Sequence, residues 1–231
     1  MALIDDLRNK VQEYFNQPYT TKETSIVPGT DYSKLTFGNN GLVAELAFLF
    51  VDIRKSSQMH EVYGYKTAAL IYQSFHEMCV RIIIHNNGNV RAFDGDRIMG
   101  VFAGDSKRGN AVKAAMNIRW AISNILNKKL TTPLSVGCGI EAGKTLITKV
   151  GKGRDINNQD LIWIGKACNY ASHLCQVADN AVIVSEEVYG RLSEYKKYSD
   201  DNPKKSMWVR SQVNIKGKAI WVYKSTWEWG V

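Results

Sequence analysis

Phe48-Leu49-Phe50-Val51-Asp52-Ile53-Arg54-Lys55-Ser56-Ser57 sets the end of an apolar run against a carboxylate and then a polar turn. The run itself starts at Leu46, and six continuous apolar residues read as a strand buried on both faces. A carboxylate at the end of such a strand is costly unless it is hydrogen-bonded, paired or bound to a cation. Two explanations fit Asp52 at this level. It caps the following helix, as Asp often does before a polar turn, or it belongs to a metal site.

Working outward, this first long strand is predicted over Leu42–Ile53, and Ser56/Ser57 open a helix to about Ile84. Val62, Tyr65, Ala68, Ala69, Tyr72, Phe75 and Val80 supply its expected buried face, and Asn86-Asn87-Gly88 stops it. Two short strand-like runs follow, Asn89–Phe93 and Arg97–Phe102, joined through Asp94-Gly95. Asp-Gly between such runs predicts a hairpin with a type I′ turn. A second helix is expected over Ser106–Asn127, with Ile125 on its buried face, and then strands Leu134–Ala142 and Leu146–Val150 around Gly143-Lys144. The polar segment 151–159 reads as a loop, Leu161–Ile164 as a strand and Lys166–Ala178 as a helix. Ala181–Val184, a short helix from Ser185, a charged loop 195–205 and a terminal hairpin around Lys216-Gly217-Lys218 complete the chain. Trp221, Tyr223, Trp227 and Trp229 read as packing residues.

The order β-α-β-β-α-β with further C-terminal strands and helices is that of a ferredoxin-like α+β domain with additions. Residues 1–41 stand apart as an N-terminal helix and extended arm before a single domain over 42–231. Leu3, Ile4, Leu7, Val11, Tyr14 and Phe15 form one stripe on that helix, suited to packing against the body of the protein or a second copy.

The length of 231 residues suffices for one sizeable core. No apolar run approaches the roughly 20 residues needed to span a bilayer. With no signal-peptide pattern at the N-terminus, a cytoplasmic protein without stable membrane insertion is expected. Cys79, Cys138, Cys168 and Cys175 form no C-x-x-C pair and read as small core residues of a reduced protein. A net charge of +8 suits a polyanionic ligand, yet the basic residues are scattered apart from Lys144-to-Arg154 and Lys196-to-Arg210. No groove-reading motif accompanies them, so nucleic acid is not an expected partner.

The expected topology places the first strand beside the hairpin, and so can bring Asp52 and Asp96 together at one edge of the sheet. Two carboxylates held close repel unless a cation lies between them or one takes up a proton. With the Ile53 carbonyl they form an oxygen-rich set suited to Mg²⁺ or Mn²⁺ rather than zinc. The alternative is two unrelated surface residues, one capping and one in a turn.

Five ordered segments carry a resemblance: Phe50–Ser57, Gly95–Phe102, Val136–Gly143, Trp163–Leu174 and Ile215–Lys218. Over about residues 42–225 the chain resembles the class III nucleotidyl cyclase domain. The resemblance implies that Asp52 and Asp96, with the Ile53 carbonyl, bind two divalent ions per site. It implies that Asn169 positions the ribose and that Lys218 holds the triphosphate. The implied assembly is a homodimer, with the carboxylates of each site coming from one chain and Asn169 and Lys218 from the other.

The departures narrow this. Purine-specific relatives carry a Lys and an Asp where this chain has Ala92 and Ile162, so a purine edge has no evident hydrogen-bond reader. Where such relatives place an Arg to stabilise the transition state stands His173, with Arg97 and Arg54 as possible substitutes. With Val27-Pro28-Gly29 in the arm and Asp94-Gly95-Asp96-Arg97 in the hairpin, the chain is most similar to the pyrimidine cyclases of the Pycsar antiphage system. That resemblance implies UTP or CTP as substrate, with uridylate the commoner activity, and a separate effector protein activated by the cyclic product. It also implies a base pocket lined by Phe50, Ala92 and Ile162. A purine cyclase reading its base through backbone groups, and a degenerate nucleotide-binding dimer without turnover, are the competing expectations.

Overall fold

The computed structural model describes residues 2–151 and 156–231. Nine strands form one sheet among them: β1 Thr20–Glu23, β2 Asn40–Ile53, β3 Gly88–Asp94, β4 Arg97–Phe102, β5 Val136–Val150, β6 Asp160–Ile164, β7 Val182–Ser185, β8 Val209–Ile215 and β9 Lys218–Ser225. The main path runs β3-β4-β2-β5-β7-β9-β8, with β1 added to β2 and β6 to β5. Each adjacent pair among its first four strands is antiparallel, as a βαββαβ core requires. The helices are α1 Ala2–Asn16, α2 Met59–His85, α3 Lys107–Ala121, α4 Lys166–Val177 and the short α5 Glu186–Gly190 and α6 Glu194–Lys197.

Strand alternation on β2 divides the core in two. Ala47, Leu49, Val51 and Ile53 face α2 and α3, in a cluster that includes Ile71, Phe75, Cys79, Ile118 and Ile122. Leu42, Ala44, Leu46 and Phe48 face the other way, against Ala167 and Ala171 of α4 and against Val27 and Leu35 of the arm. Both faces of β2 are therefore covered, which is why its middle reads as an unbroken apolar run. Asp52 continues the series Phe48, Phe50 and so belongs to the α4 side of the sheet.

Several local expectations are corrected. Val62 and Tyr65 are exposed, because α2 is kinked at Gly64 (φ 73°) and its buried stripe starts properly at Ala68 and Ile71. The two strands expected around Gly143-Lys144 are one continuous strand, β5, held by unbroken pairing to β2 from Ile147 back to Val136. The α3 segment loosens into a π-turn at Ile122–Leu126, leaving Ile125 exposed. The hairpin loop is Gly95-Asp96, not Asp94-Gly95, since Asp94 pairs with Arg97 and only Gly95 (φ 60°) has a positive φ. That is the requirement of a glycine-first primed turn.

The arm is more than a connection. β1 pairs in parallel with the start of β2, and Asn39 Nδ2 donates to the carbonyls of Tyr14 and Gln17, tying down the end of α1. No residue of α1 is buried, so its apolar stripe does not pack on the body of its own chain. Residues 152–155 of the expected loop, with the Lys152 and Arg154 end of the first basic cluster, lie outside the described residues. No helix among the described residues is long and apolar enough to cross a membrane. The closing Trp227 and Trp229 pack against the main core, whereas Trp221 is part-exposed and stacks on the Arg210 guanidinium, 4.1 Å away.

Candidate active site

Asp52 lies one residue from the end of β2, directly opposite Arg97 of β4, and Asp96 occupies the adjoining hairpin turn. Register alone thus brings the two carboxyl groups together, within hydrogen-bonding reach of each other. Burial, then the Asp96 hydrogen bond and charge, push the Asp52 carboxyl up to about 6, against the opposing pull of Arg54 and Arg97. Arg54 Nη2 is 2.5 Å from Asp52 Oδ2 and Arg97 Nη2 is 3.8 Å from it.

The two guanidinium groups also reach α4. Arg54 Nη1 donates to the Gln176 carbonyl and Arg97 Nη1 to Ser172 Oγ. The Nε atoms of both are buried without a partner, so neither arginine has its full complement of acceptors. Among the described residues no group of three or more His, Cys, Asp or Glu side chains is arranged to hold a metal ion. The oxygens available are those of two carboxyl groups and of the Ile53 carbonyl at the strand end. That donor set fits a hard divalent cation, which can supply the charge balance that the arginines give Asp52 only partly.

Asn169 and His173, one turn apart on α4, line a different cavity of about 350 Å³ together with Lys166, Tyr170, Ile215, Lys216 and Lys218. Lys218 is delivered by the β8–β9 hairpin, whose two-residue turn Lys216-Gly217 has positive φ at both positions (51° and 81°) and is tied by Asn214 Oδ1 accepting from Gly217 N. His173 Nδ1 lies 3.2 Å from Gln176 Oε1. Asp52 and Asp96 are not among the residues lining this cavity. Three lysines converge there, of which the motif reading singled out only Lys218. Lys166 and Lys216 fall within Trp163–Leu174 and Ile215–Lys218, but their convergence depends on how α4 meets the last hairpin.

Phe50, Met99 and Ala92 stand in one cross-strand row, since Met99 pairs with Phe50 on one side and Ala92 on the other. All three pack in the α4-side cluster, with Cys168 Sγ 4.0 Å from Met99 Sδ. Ile162 does not join them. It is on β6, 41% exposed, while its neighbours Leu161 and Trp163 turn inward. Met99 and Cys168 escaped the sequence reading because only strand register reveals that Met99 bridges the other two. The remaining cysteines are buried, and burial pushes the Cys138 thiol up to about 12, which suits the inert core role expected of them.

No family profile matches the chain. Its fold is shared with the adenylyl cyclase CyaB from P. aeruginosa (TM-score 0.68, 19% identity, covering 80% of this chain and 95% of that one). It is shared equally with the guanylyl cyclase Cya2 (TM-score 0.68, 15% identity, covering 81% and 94%). This is the class III nucleotidyl cyclase fold. In sequence, the chain is 33% identical over 238 aligned positions to a uridylate cyclase of Xanthomonas perforans and 32% over 237 to one of Burkholderia cepacia, covering 100% of each chain in both cases. The chain belongs to the uridylate cyclase family and is a nucleotidyl cyclase.

Proposed function

We propose that the protein converts UTP to 3′,5′-cyclic UMP. The likeness over its whole length to proteins named uridylate cyclase carries this reading. The apolar row Phe50–Met99–Ala92 supports it, because it offers no side-chain donor or acceptor to select a purine. The ribose 3′-oxygen attacks the α-phosphorus, the bond from that phosphorus to the bridging oxygen breaks, and pyrophosphate and the hydroxyl proton leave.

Asp52 and Asp96, with the Ile53 carbonyl, would hold two Mn²⁺ or Mg²⁺ ions. Bound there, such ions would activate the attacking oxygen and offset triphosphate charge. The chain's own contribution is orientation and electrostatics. Asn169 positions the ribose, Lys218 with Lys166 and Lys216 engages the triphosphate, and His173 donates to the transition-state charge. Arg97, which contacts Asp52 and Ser172, would supplement His173.

Asp52 and Asp96 do not line the lysine cavity of their own chain, and this supports a homodimer with Asp52 and Asp96 of one copy facing Asn169 and Lys218 of the second. In this reading the protein works in the cytoplasm, and cyclic UMP activates a separate antiphage effector. The test is incubation of purified protein with Mn²⁺ and each of the four ribonucleoside triphosphates, with products identified by mass. Cyclic UMP is expected from UTP. Predominant cyclic CMP from CTP would make it a cytidylate cyclase, and no cyclic product from any of the four would overturn the reading.

A further inference from the structure

Helix α2 packs on the face of the sheet opposite α4, and two of its side chains reach past the sheet edge to the segments that carry the carboxylates. Tyr72 Oη donates to the carbonyl of Ser56, in the turn that follows Asp52, at 3.3 Å. One turn later on the same helix, His76 Nε2 lies 2.8 Å from the carbonyl of Gly95, the residue before Asp96. A carbonyl only accepts, so Nε2 carries the proton and His76 is the donor. Its ring is held edge-on between Phe75 (5.1 Å) and Phe93 (5.2 Å), and its buried Nδ1 has no other partner. The imidazole therefore has one polar contact to make from this position, and it makes it to the hairpin turn.

The helix behind these two side chains is well anchored. Ile71, Phe75, Cys79, Ile82 and Ile83 bury its stripe in the main core, downstream of the kink at Gly64. Burial, followed by the charges of Asp96 and then Asp52, pushes the Tyr72 phenol up against the opposing Ser56 hydrogen bond, so the phenol stays protonated. Like charges at Asp52 and Asp96 drive their two loops apart. Arg54 and Arg97 act on the carboxylate of Asp52, but Tyr72 and His76 act on the backbone of both loops from a single rigid helix.

We propose that Tyr72 and His76 are positioning residues, a two-pronged brace that sets the separation of the Asp52 and Asp96 loops for cation binding. The inference rests on the reading of Asp52 and Asp96 as metal ligands. Neither side chain lines the lysine cavity or joins the Phe50–Met99–Ala92 cluster. The brace matters by limiting how far the carboxylates relax when no cation holds them, since a metal site loose by even a fraction of an ångström loses affinity.

Mn²⁺ binding, followed by electron paramagnetic resonance in the presence of 3′-deoxy-UTP, tests it without turnover, because that nucleotide lacks the attacking oxygen. Tyr72→Phe and His76→Phe should each weaken Mn²⁺ binding by roughly three- to tenfold, as loss of one positioning hydrogen bond allows. His76→Gln, which retains a donor of similar reach, should stay within about twofold of wild type, a rescue that a purely structural role does not anticipate. With UTP, excess Mn²⁺ should restore much of the turnover of the Phe variants. Unchanged Mn²⁺ binding in both Phe variants, with Asp52→Ala losing it, overturns the brace alone. Unchanged Mn²⁺ binding in Asp52→Ala overturns the metal reading and the brace with it. Should His76→Phe fail to fold, Tyr72→Phe, which removes one oxygen atom, decides the matter.

Discussion

Arg54 Nη2 lies 2.5 Å from Asp52 Oδ2, with the two side chains only 16% and 15% exposed. Even so, the Asp52 carboxyl sits well above its ordinary range, at about 6, because burial and Asp96 outweigh both arginines. One close ion pair does not neutralise two adjacent carboxylates in a half-dry edge.

A dependence of stability on pH follows from this balance. A carboxyl whose folded pKa is raised contributes stability that is complete below its unfolded value, near 4, and is lost as pH rises through about 6. Metal-free protein should therefore lose stability over that window, and Asp52→Asn should not lose this part. At pH 8 Asp52→Asn should be the more stable by about 1 kcal/mol after solvent screening, with the difference gone at pH 4. Urea unfolding at the two pH values measures it, and added Mn²⁺ should narrow the pH 8 gap by stabilising wild type alone. The same variant should make no cyclic product.

Sharing of the site between copies is tested by mixing inactive proteins. Asp52→Ala and Lys218→Ala should each be inactive alone. Re-equilibrated together, half of the dimers are mixed and each carries one intact site of two, so roughly a quarter of wild-type activity should return. No recovery, with subunit exchange verified by mass, would place the whole site within one chain.

Gly139 on β5 is where α4 comes down onto the sheet. A Cβ there would overlap the backbone of Ala171 and Cys175, and one at Gly137 would meet the carbonyl of Ala178. Backbone does not yield as a side-chain tip does, so Gly139→Ala should destabilise the fold by about 3 kcal/mol or displace α4. Since α4 carries Asn169 and His173, kcat should fall in whatever protein remains folded. Urea unfolding with kinetics on the same sample separates the two effects.

Met99 joins Phe50 to Ala92 and is 4% exposed. If this row bounds the base, Met99→Ala should enlarge the pocket and shift the ratio of kcat/KM for ATP over UTP upward by about tenfold. An unchanged ratio in a folded variant would move the base pocket elsewhere, with Ile162 on its exposed strand the next place to look.

Much of this was legible in the residues because it is local. The apolar run from Leu46, the abrupt carboxylate at Asp52 and the turn glycine at Gly95 each answer to short-range rules of burial and φ preference. The βαββαβ order followed from them, and the ordered motifs pointed to the cyclase class. Asp94-Gly95 is also a good turn pair and predicts the hairpin one residue early, and only the Asp94–Arg97 pairing decides between the two registers. Gly143 and Lys144 looked like a break for a similar reason: glycine weakens a strand in isolation, but pairing to β2 on one side carries β5 straight through.

By itself, then, the sequence determined the strand that ends on Asp52, the hairpin that brings in Asp96, and the motif order that marks a nucleotidyl cyclase. These depend on neighbours in the chain. Tertiary structure decided which arginines share Asp52, that Met99 rather than Ile162 stands between Phe50 and Ala92, and that α1 leaves its apolar stripe uncovered on its own chain. It also decided that Tyr72, on the expected buried stripe of α2, and His76, which no local pattern marks, reach the two carboxylate loops. Each of these is set by strand register or by the seating of a helix across the sheet. Both are fixed by the packing of residues far apart in the chain, which no local pattern encodes.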